Sequence, residues 1–435
     1  MGWEQYFSSR QTTADEAVKH IKSGDRVAFG HAIAEPKAIG DALVRAKDNY
    51  RDVEIVHMIC MGAGDYAKPG MEAHFRHNAL FVGASTRDAV NAGRGDFTPC
   101  HFSEIPGLFT EGYLPTDVAC IQVTPPDAQG LCSLGVSVDY TRAAAQAARL
   151  VIAEVNPNMP RTMGESTIHA EDIDWFVPVD YPLIELVPPA LTDVEKAIGA
   201  NCASLVEDGA TLQLGIGSLP DAVLAALTDK NDLGIHSEMI SDGVMHLMKR
   251  GVINNSCKTL HKGHCIVTFL MGTRRLYDFV DGNPDVRMYP VNYVNNPAVV
   301  AQNDNMVSIN ACVQVDLMGQ VASESIGLKQ ISATGGQMDF VRGANMSRNG
   351  KSIIALPSTL GGGKLSKIVP VLDTGAAVTT HRCDVNYIVT EYGIARLKGR
   401  TLRERAAALI RVAHPDFRDS LKEEYERRFC CAYKD

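Results

Sequence analysis

The sequence lacks the features that mark membrane, secreted and nucleic-acid-binding proteins. No apolar run approaches the roughly 20 residues that a membrane-spanning helix needs. The first residues, MGWEQYFSSRQTTADEA, contain no basic region followed by an apolar core, so they do not resemble a signal peptide. No block of basic residues occurs, and the formal net charge of -9 disfavours binding to a polyanion. We therefore expect a cytoplasmic protein whose partners include neither a membrane nor a nucleic acid.

The eleven cysteines include no CxxC pair, so the paired spacing of structural zinc sites is missing. An odd number of cysteines, scattered through apolar segments, predicts buried thiols in a reducing compartment. One segment, CKTLHKGHC, brings Cys257, His261, His264 and Cys265 close together in sequence, and a metal site is the alternative there. We favour a polar loop that leads into a strand near Cys265, and we predict no metal.

Three catalytic signatures are also absent from the chain. It contains no GxSxG segment, no HExxH segment and no Walker A loop. The side chains and loops that remain as candidates for chemistry are a carboxylate, an amide and several glycine-rich turns.

Apolar, strand-like segments alternate with helical segments along the chain. Runs such as DVACIQV, LVIAEV and TLQLGI are rich in Val, Ile and Leu, and helical runs such as YTRAAAQAAR and LPDAVLAAL lie between them. This alternation predicts βαβ units and a mostly parallel sheet. Several strands are continuously apolar, which favours burial on both faces. A length of 435 residues suits two or three domains.

A stretch with three prolines, YPLIELVPPALTD, predicts a domain boundary near residues 181–193. The sequence after it partly repeats the beginning of the chain. Each copy has a helix, a Gly-Asp or Asp-Gly pair and a short strand that ends at Gly30 or Gly215. Chance similarity of two helix–strand units is the alternative. We predict two similar α/β domains, residues 1–187 and 188–435.

The segment LQLGIGSLP places glycines between a strand and a helix. Gly215 and Gly217 allow backbone N–H groups to approach a ligand near the positive end of the helix. A plain strand-to-helix turn is the alternative. Gln213 is unusual because it lies within an otherwise buried strand, where an amide must be hydrogen-bonded or face a site.

The segment GIHSEMISDG places a carboxylate between two apolar runs. The local pattern predicts that Ser237 is the N-cap of a helix and that Glu238 lies in its first turn. The alternative is that Glu238 is a nucleophile or base at the tip of a strand. A third segment, TGGQMDFVRGANMS, contains Gly335 and Gly336, which indicate either close backbone approach to a ligand or a hairpin turn.

Taken together, these segments resemble the acetyl-CoA hydrolase/transferase family. The similarity lies in LQLGIGSLPDAV, GIHSEMISDG, TFLMGTRRLYDF, GGQMDFVRGA and VTEYGIARLKG, and it extends to GDRVAFGHAIAEP in the first half. Within the family, the 4-hydroxybutyrate and butyrate–acetate CoA-transferases are the most similar subgroup. The resemblance implies two similar open α/β domains of the NagB/RpiA/CoA-transferase type, with mostly parallel sheets and the active site in the cleft between them.

The resemblance also implies roles for individual residues. Glu238, in the S-E-M-I motif, matches the nucleophile of the family, and Gln213 matches a second catalytic residue, which is expected to line the site. Asn295 matches a polar residue near the nucleophile. The residues that the resemblance places at the coenzyme A site are Leu214, Gly215, Ile216, Gly217, Gly335, Gly336 and Asn295.

The activity that the resemblance implies is transfer of CoA between a short-chain acyl-CoA (4-hydroxybutyryl-, butyryl- or acetyl-CoA) and a carboxylate such as acetate. The transfer is ping-pong and passes through a glutamyl-CoA thioester. Coenzyme A is then a substrate, no cofactor is tightly bound, and a homodimer is the expected assembly. One alternative is an acyl-CoA hydrolase with water as the acceptor. An alternative of another class is a sensor that binds a sugar phosphate or nucleotide without chemistry.

Overall fold

In the computed structural model, which describes residues 2–434, the chain divides into two compact units. The first unit comprises Met1–Leu186 and Ile266–Val294, and the second comprises Val187–Cys265 and Asn295–Asp435. The stretch 266–294 therefore belongs to the first unit although it lies beyond residue 187. Each predicted domain, 1–187 and 188–435, is one continuous stretch of the chain, whereas each compact unit consists of two stretches. The domain bounds therefore stay a prediction.

Fifteen α-helices lie within residues 2–434. They are α1 Trp3–Ser9, α2 Ala14–Ala17, α3 Lys37–Arg45, α4 Arg87–Asn91, α5 Ile105–Thr110, α6 Thr141–Ala147, α7 Asp193–Ala203, α8 Ser218–Ala225, α9 Asp242–Lys249, α10 Arg274–Val280, α11 Val291–Val294, α12 Pro297–Val300, α13 Gln337–Met346, α14 Leu402–Val412 and α15 Pro415–Phe429. Helices α7 and α14 begin at capping boxes, in which Thr192 pairs with Glu195 and Thr401 with Glu404. Such reciprocal bonds satisfy backbone groups that the first helical turn leaves unpaired.

The first unit contains a seven-stranded sheet in which all neighbouring strands are parallel. Its strands are β1 Arg26–Phe29, β2 Val53–His57, β3 Phe75–Ala79, β4 Gly95–Phe97, β5 Val118–Val123, β6 Leu150–Val155 and β7 Trp175–Pro178. The strand order is β7-β6-β5-β1-β2-β3-β4. Every residue of β5 and β6 is buried, as the continuous apolar runs predict for strands covered on both faces.

The second unit contains a six-stranded sheet that is parallel except at one edge. Its strands are β8 Thr211–Leu214, β9 Gly234–Ile235, β10 Met306–Ala311, β11 Lys351–Ala355, β12 Tyr387–Thr390 and β13 Gly393–Arg396. The strand order is β9-β8-β10-β11-β12-β13, and only the last pair is antiparallel.

The two sheets share one pattern of strand order. In each sheet the first strand in sequence, β1 or β8, has the second strand, β2 or β9, on one side. On its other side it begins a series in chain order, β5-β6-β7 or β10-β11-β12. Strand β1 ends directly before Gly30 and β8 directly before Gly215, which are the two positions that the sequence repeat predicts. The predicted fold, two similar α/β halves with mostly parallel sheets, is confirmed.

Short strands form small accessory sheets within each unit. In the first unit Leu131–Ser133 pairs with Thr167–His169, and Val286–Met288 pairs with Met163–Gly164. In the second unit Gln314–Asp316 pairs with Val321–Ala322 and Ile368–Val369, Ser325–Ile326 with Lys329–Gln330, and Thr359–Leu360 with Leu365–Ser366. Within the described residues, no helix is both long enough and apolar enough to cross a membrane.

All eleven cysteines are free thiols. Six are buried: Cys60, Cys120, Cys132, Cys202, Cys265 and Cys312. The prediction of buried thiols is wrong for the remaining five, which are exposed or partly exposed because they lie in loops and near the C-terminal helix.

Candidate active site

Glu238 lies in a bend between β9 and the short strand Met239–Ile240, and not in a helix. The prediction that Ser237 caps a helix containing Glu238 is therefore wrong. Helix α9 begins only at Asp242, with Ser241 at its N-cap position. The physical reason is sheet pairing, since the backbone N–H of His236 still donates to the carbonyl of Leu212 at 3.1 Å. This bond keeps the chain extended up to the residue before Ser237.

Ser237 connects the ends of two neighbouring strands. Its hydroxyl donates to the carbonyl oxygen of Leu214 at 3.0 Å and lies 3.3 Å from the backbone nitrogen of the same residue. Leu214 is the last residue of β8, so the bond fixes the bend of Glu238 at the carboxyl edge of the sheet. Ligands of open parallel sheets bind at this edge. The position of Glu238 matches the alternative prediction from the sequence, in which the carboxylate lies at the tip of a strand.

The half-buried carboxylate of Glu238 contacts two residues that are distant in sequence. The side-chain nitrogen of Asn295, which is fully buried, donates to Glu238 Oε2 at 2.8 Å. A methyl group placed on Gly336 would overlap Oε2 and would lie 3.0 Å from the carboxyl carbon of Glu238. The amide therefore orients the carboxylate, and a residue without a side chain is required beside it.

Gly335 and Gly336 open a helix and do not form a hairpin turn. Gly335 has a φ of +53°, and Gly336 directly precedes α13. The positive φ favours glycine at position 335, whereas close packing against Glu238 demands it at position 336. The N-terminus of α13 thus approaches the carboxylate of Glu238, and its dipole favours a negative charge there.

The side-chain amide of Gln213 pairs with that of Asn310. The nitrogen of Gln213 donates to the oxygen of Asn310 at 3.2 Å, and the nitrogen of Asn310 donates back at 3.1 Å. Gln213 lies on β8 and Asn310 on the adjacent strand β10. The sequence predicts that the buried amide of Gln213 is hydrogen-bonded or faces a site, but it does not identify the partner. Asn310 carries the same signal, because it is an amide within the apolar run MVSINA.

The loop Gly215–Gly217 connects Leu214 with α8, which begins at Ser218. Gly217 has a φ of +105°, so a residue with a side chain would be strained there. Ile216 is 43% exposed, and Leu214 is buried. The exposed part of the loop, residues 216 and 217, thus follows closely after Leu214, to which Ser237 bonds.

Lys258 and Asn255 contact the strand that leads to Glu238, and no motif in the sequence distinguishes them. The ammonium of Lys258 donates to the carbonyl oxygens of Ile235 at 2.6 Å and His264 at 2.7 Å. The side-chain oxygen of Asn255 accepts from the backbone N–H of Ile235 at 2.8 Å. Burial lowers the pKa of Lys258 to about 7.

Among residues 2–434, one group of side chains has donors close enough together for a metal ion: Glu35, His57 and Cys60 in the first unit. Hydrogen bonds within the protein already engage these side chains. Glu35 Oε2 accepts from the backbone N–H groups of Met61 and Gly62 at 2.8 and 2.7 Å. His57 Nδ1 lies 2.9 Å from the Tyr66 hydroxyl. The cluster Cys257, His261, His264 and Cys265 does not form such a group within the described residues.

Comparison with known proteins gives matches across nearly the whole chain. The acetyl-CoA hydrolase/transferase N-terminal domain matches residues 3–188, and the C-terminal domain of the same family matches residues 272–425. The 4-hydroxybutyrate coenzyme A transferase of Clostridium kluyveri is 65% identical over 99% of this chain and 100% of its own length. The butyryl-CoA:acetate CoA-transferase of Anaerostipes caccae is 39% identical over 98% of each chain.

The solved structures agree with the sequence relatives. The crystal structure of 4-hydroxybutyrate CoA-transferase from Porphyromonas gingivalis superposes with a TM-score of 0.85 and is 45% identical. The match covers 98% of this chain and 100% of that one. A relative named acetyl-CoA hydrolase, from Candida glabrata, is more distant, at 25% identity over 97% of this chain and 89% of its own. The chain belongs to the acetyl-CoA hydrolase/transferase family.

Proposed function

We propose that this protein is a CoA-transferase that moves CoA between a short-chain acyl-CoA and a carboxylate such as acetate, with Glu238 as the nucleophile. The observation that carries the proposal is the setting of Glu238. Its carboxylate is held at 2.8 Å by the Asn295 amide, at the carboxyl edge of a parallel sheet. The carboxylate lies against a glycine that leaves no room for a side chain. The names of the two curated relatives support transfer as the reaction.

The proposed reaction exchanges a thioester for a carboxylate through a covalent intermediate on Glu238. An oxygen of Glu238 attacks the carbonyl carbon of the acyl-CoA thioester, the C–S bond breaks, and CoA leaves as a thiolate. The product is a mixed anhydride of Glu238 and the acyl group. The thiolate then attacks the glutamyl carbonyl, the anhydride C–O bond breaks, and the first carboxylate leaves. The acceptor carboxylate reverses these steps from the glutamyl-CoA thioester.

Each step places negative charge on a former carbonyl oxygen, so hydrogen-bond donors next to Glu238 have a catalytic use. We assign this role to the amides of Gln213 and Asn295 and to the backbone N–H groups of the Gly215–Gly217 and Gly335–Gly336 loops. Gln213 gives one amide hydrogen to Asn310 and keeps a second for the substrate. Loss of one such donor costs about 10²–10³ in turnover in comparable sites. We propose that these loops also form the CoA site, together with Leu214 and Asn295.

The choice between transfer and hydrolysis depends on the acceptor. A hydrolase would use the same Glu238, and its named representative is a distant relative of this chain. We expect CoA release from butyryl-CoA to be slow in buffer and to rise steeply when acetate is added. Strong release without any carboxylate would identify a hydrolase.

We propose 4-hydroxybutyryl-, butyryl- and acetyl-CoA as the acyl donors, because the curated relatives carry the first two acyl groups in their names. One methylene changes binding in an apolar pocket by about 1–3 kcal/mol, so chain length is discriminated only gradually. We further propose that coenzyme A acts as a substrate, that no tightly bound cofactor takes part, and that the protein is a cytoplasmic homo-oligomer.

The decisive experiment omits the acceptor. The protein is incubated with butyryl-CoA, digested, and examined by mass spectrometry for CoA on the peptide that contains Glu238. We expect an adduct with the wild type and none with Glu238→Gln. Glu207→Gln is the matched control, because Glu207 is an exposed carboxylate of the same unit whose partner is Lys351. Full activity of Glu238→Gln without any adduct would refute the mechanism. A wild type that shows neither an adduct nor turnover would favour the non-catalytic sensor.

A further inference from the structure

Lys258 has an unusual setting for a lysine. Only 3% of its surface is accessible to solvent. Its ammonium donates to two backbone carbonyl oxygens, those of Ile235 at 2.6 Å and His264 at 2.7 Å. Removing an ammonium group from water is costly unless its hydrogens find partners. The two carbonyls belong to residues on either side of the segment 236–263, so the side chain ties together the beginning and the end of the stretch that contains Glu238.

The bond to Ile235 lies on the side of β9 that faces away from β8, next to Leu233, whose backbone bonds to residues 252–255. Strand β9 is the edge strand and pairs only with β8 in that sheet. Gly234 and His236 donate toward β8, to the carbonyls of Ala210 and Leu212 at 2.9 and 3.1 Å. The peptide groups of Ile235 point the other way, as alternate residues of a parallel strand do. Two side chains take the place of a further strand there.

Those two side chains are Asn255 and Lys258. The N–H of Ile235 donates to the side-chain oxygen of Asn255 at 2.8 Å, and the carbonyl of Ile235 accepts from Lys258. Asn255 has a φ of +60°, a left-handed conformation that asparagine tolerates better than most residues. Both backbone groups of Ile235, three residues before Glu238, are therefore fixed by side chains from one loop.

The fit of Lys258 against β9 is close. A methyl group added to Gly234 would overlap the aliphatic part of the lysine and would lie 2.9 Å from its Cδ. Glycine at position 234 thus provides the space through which the side chain reaches Ile235. This packing is specific for a long, unbranched side chain with a donor at its end.

We propose that Lys258 is a positioning residue of the transfer reaction, which fixes the end of β9 and thereby the carboxylate of Glu238 for attack on the thioester. The inference rests on the proposed function and deepens it. Strand β9 has only two residues, so we expect that losing one of the bonds to Ile235 lets the bend at Glu238 shift. A displacement of about 1 Å in a reacting group can cost about 100-fold in rate.

The test compares Lys258→Met with Lys351→Met. Methionine keeps the length of the apolar chain and removes the ammonium. Lys351 is the matched control, because it also donates to a backbone carbonyl, that of Leu205 at 2.9 Å, and to Glu207 at 2.7 Å. It lies at the amino end of β11, whereas Glu238 follows the carboxyl end of β9.

For Lys258→Met we expect kcat to fall by about 10–100-fold, with KM for butyryl-CoA within about twofold of the wild type. The rate of adduct formation on Glu238 falls in parallel. For Lys351→Met we expect kcat close to the wild type even if the melting temperature drops. A wild-type kcat in folded Lys258→Met, or a loss that only follows the folded fraction, would overturn the inference.

Asn255→Gly provides a second variant in case Lys258→Met does not fold. Glycine accepts the positive φ and removes the acceptor of the Ile235 N–H, so we expect the same fall in kcat at unchanged KM. Unchanged kcat in Asn255→Gly would contradict the role of the Ile235 peptide. Failure of the two claims is distinguishable: a wild type without any adduct overturns the proposed function and this inference together. A wild-type adduct rate in the Lys258 and Asn255 variants overturns only the inference.

Discussion

The side-chain nitrogen of Asn295 donates a hydrogen bond of 2.8 Å to Oε2 of Glu238. Because the donor is an amide, Asn295→Asp replaces it with a second carboxylate at the same place. Neighbouring like charges disfavour ionisation, so the pKa of Glu238 should rise. In the proposed mechanism Glu238 attacks in its ionised form, so we expect the acidic limb of the kcat profile to move to higher pH.

The control for this variant is Asn296→Asp. Asn296 caps α12 by accepting from the N–H of Ala298 at 2.9 Å, and aspartate caps a helix equally well. It adds the same charge one residue away without replacing the amide that binds Glu238. Identical acidic limbs in Asn295→Asp and the wild type would show that the bond does not control the charge of Glu238.

Gly336→Ala should reduce turnover severely, because the added methyl group would overlap Oε2 of Glu238. Either the carboxylate or the start of α13 must move, and we expect kcat to fall by about 100-fold or more. Gly107→Ala is a suitable control, since its methyl group would meet only the end of the Glu111 side chain, at 3.3 Å. Steady-state kinetics of both variants, with circular dichroism to verify folding, tests the prediction. Normal turnover in Gly336→Ala would show that the site adapts.

Gln213 and Asn310 should act as a coupled pair. Replacing either with leucine leaves the other amide without its two bonds of 3.1 and 3.2 Å. We expect each single variant to lower kcat/KM. In the double variant kcat/KM should fall by a smaller factor than the product of the two single-variant factors. Residues in one hydrogen-bond network couple by about 0.5–3 kcal/mol in double-mutant cycles. Strict additivity in the cycle would mean that Asn310 does not orient Gln213.

His57 should make the first unit sensitive to acid. Burial lowers the pKa of this imidazole to about 3. The unfolded imidazole, with an ordinary pKa near 6.5, then takes up a proton at a higher pH than the folded one. The free energy of unfolding therefore falls as the pH drops from about 6.5 toward 3.

Urea unfolding at pH 7 and pH 4.5 measures this effect. Between the two pH values, we expect the free energy of unfolding of His57→Gln to fall by about 2 kcal/mol less than that of the wild type. The exposed residue His246, replaced by Gln, is the control and should follow the wild type. An equal loss in His57→Gln and the wild type would mean that this imidazole does not titrate between folded and unfolded states as its burial requires.

The fold followed from the sequence because its signals are local and repeated. Continuous apolar runs became the buried strands β5 and β6, and the paired helix–strand units at Gly30 and Gly215 became the first strands of two sheets. The helix expected at Glu238 did not form there. The tendency of Ser237 to cap a helix competes with the strand pairing of His236. The pairing partner, Leu212, is 24 residues away in sequence, so a local pattern does not reveal it.

The sequence by itself determined the family, the alternating α/β architecture and the short list of residues around Glu238, because periodicity and motifs are readable along one chain. Only the tertiary structure decided which groups touch the carboxylate. Asn295 and Gly336 reach it from segments 57 and 98 positions further on, Asn310 pairs with Gln213, and Lys258 fixes the strand behind it. Such contacts depend on how strands and loops pack in space, and no local pattern specifies them.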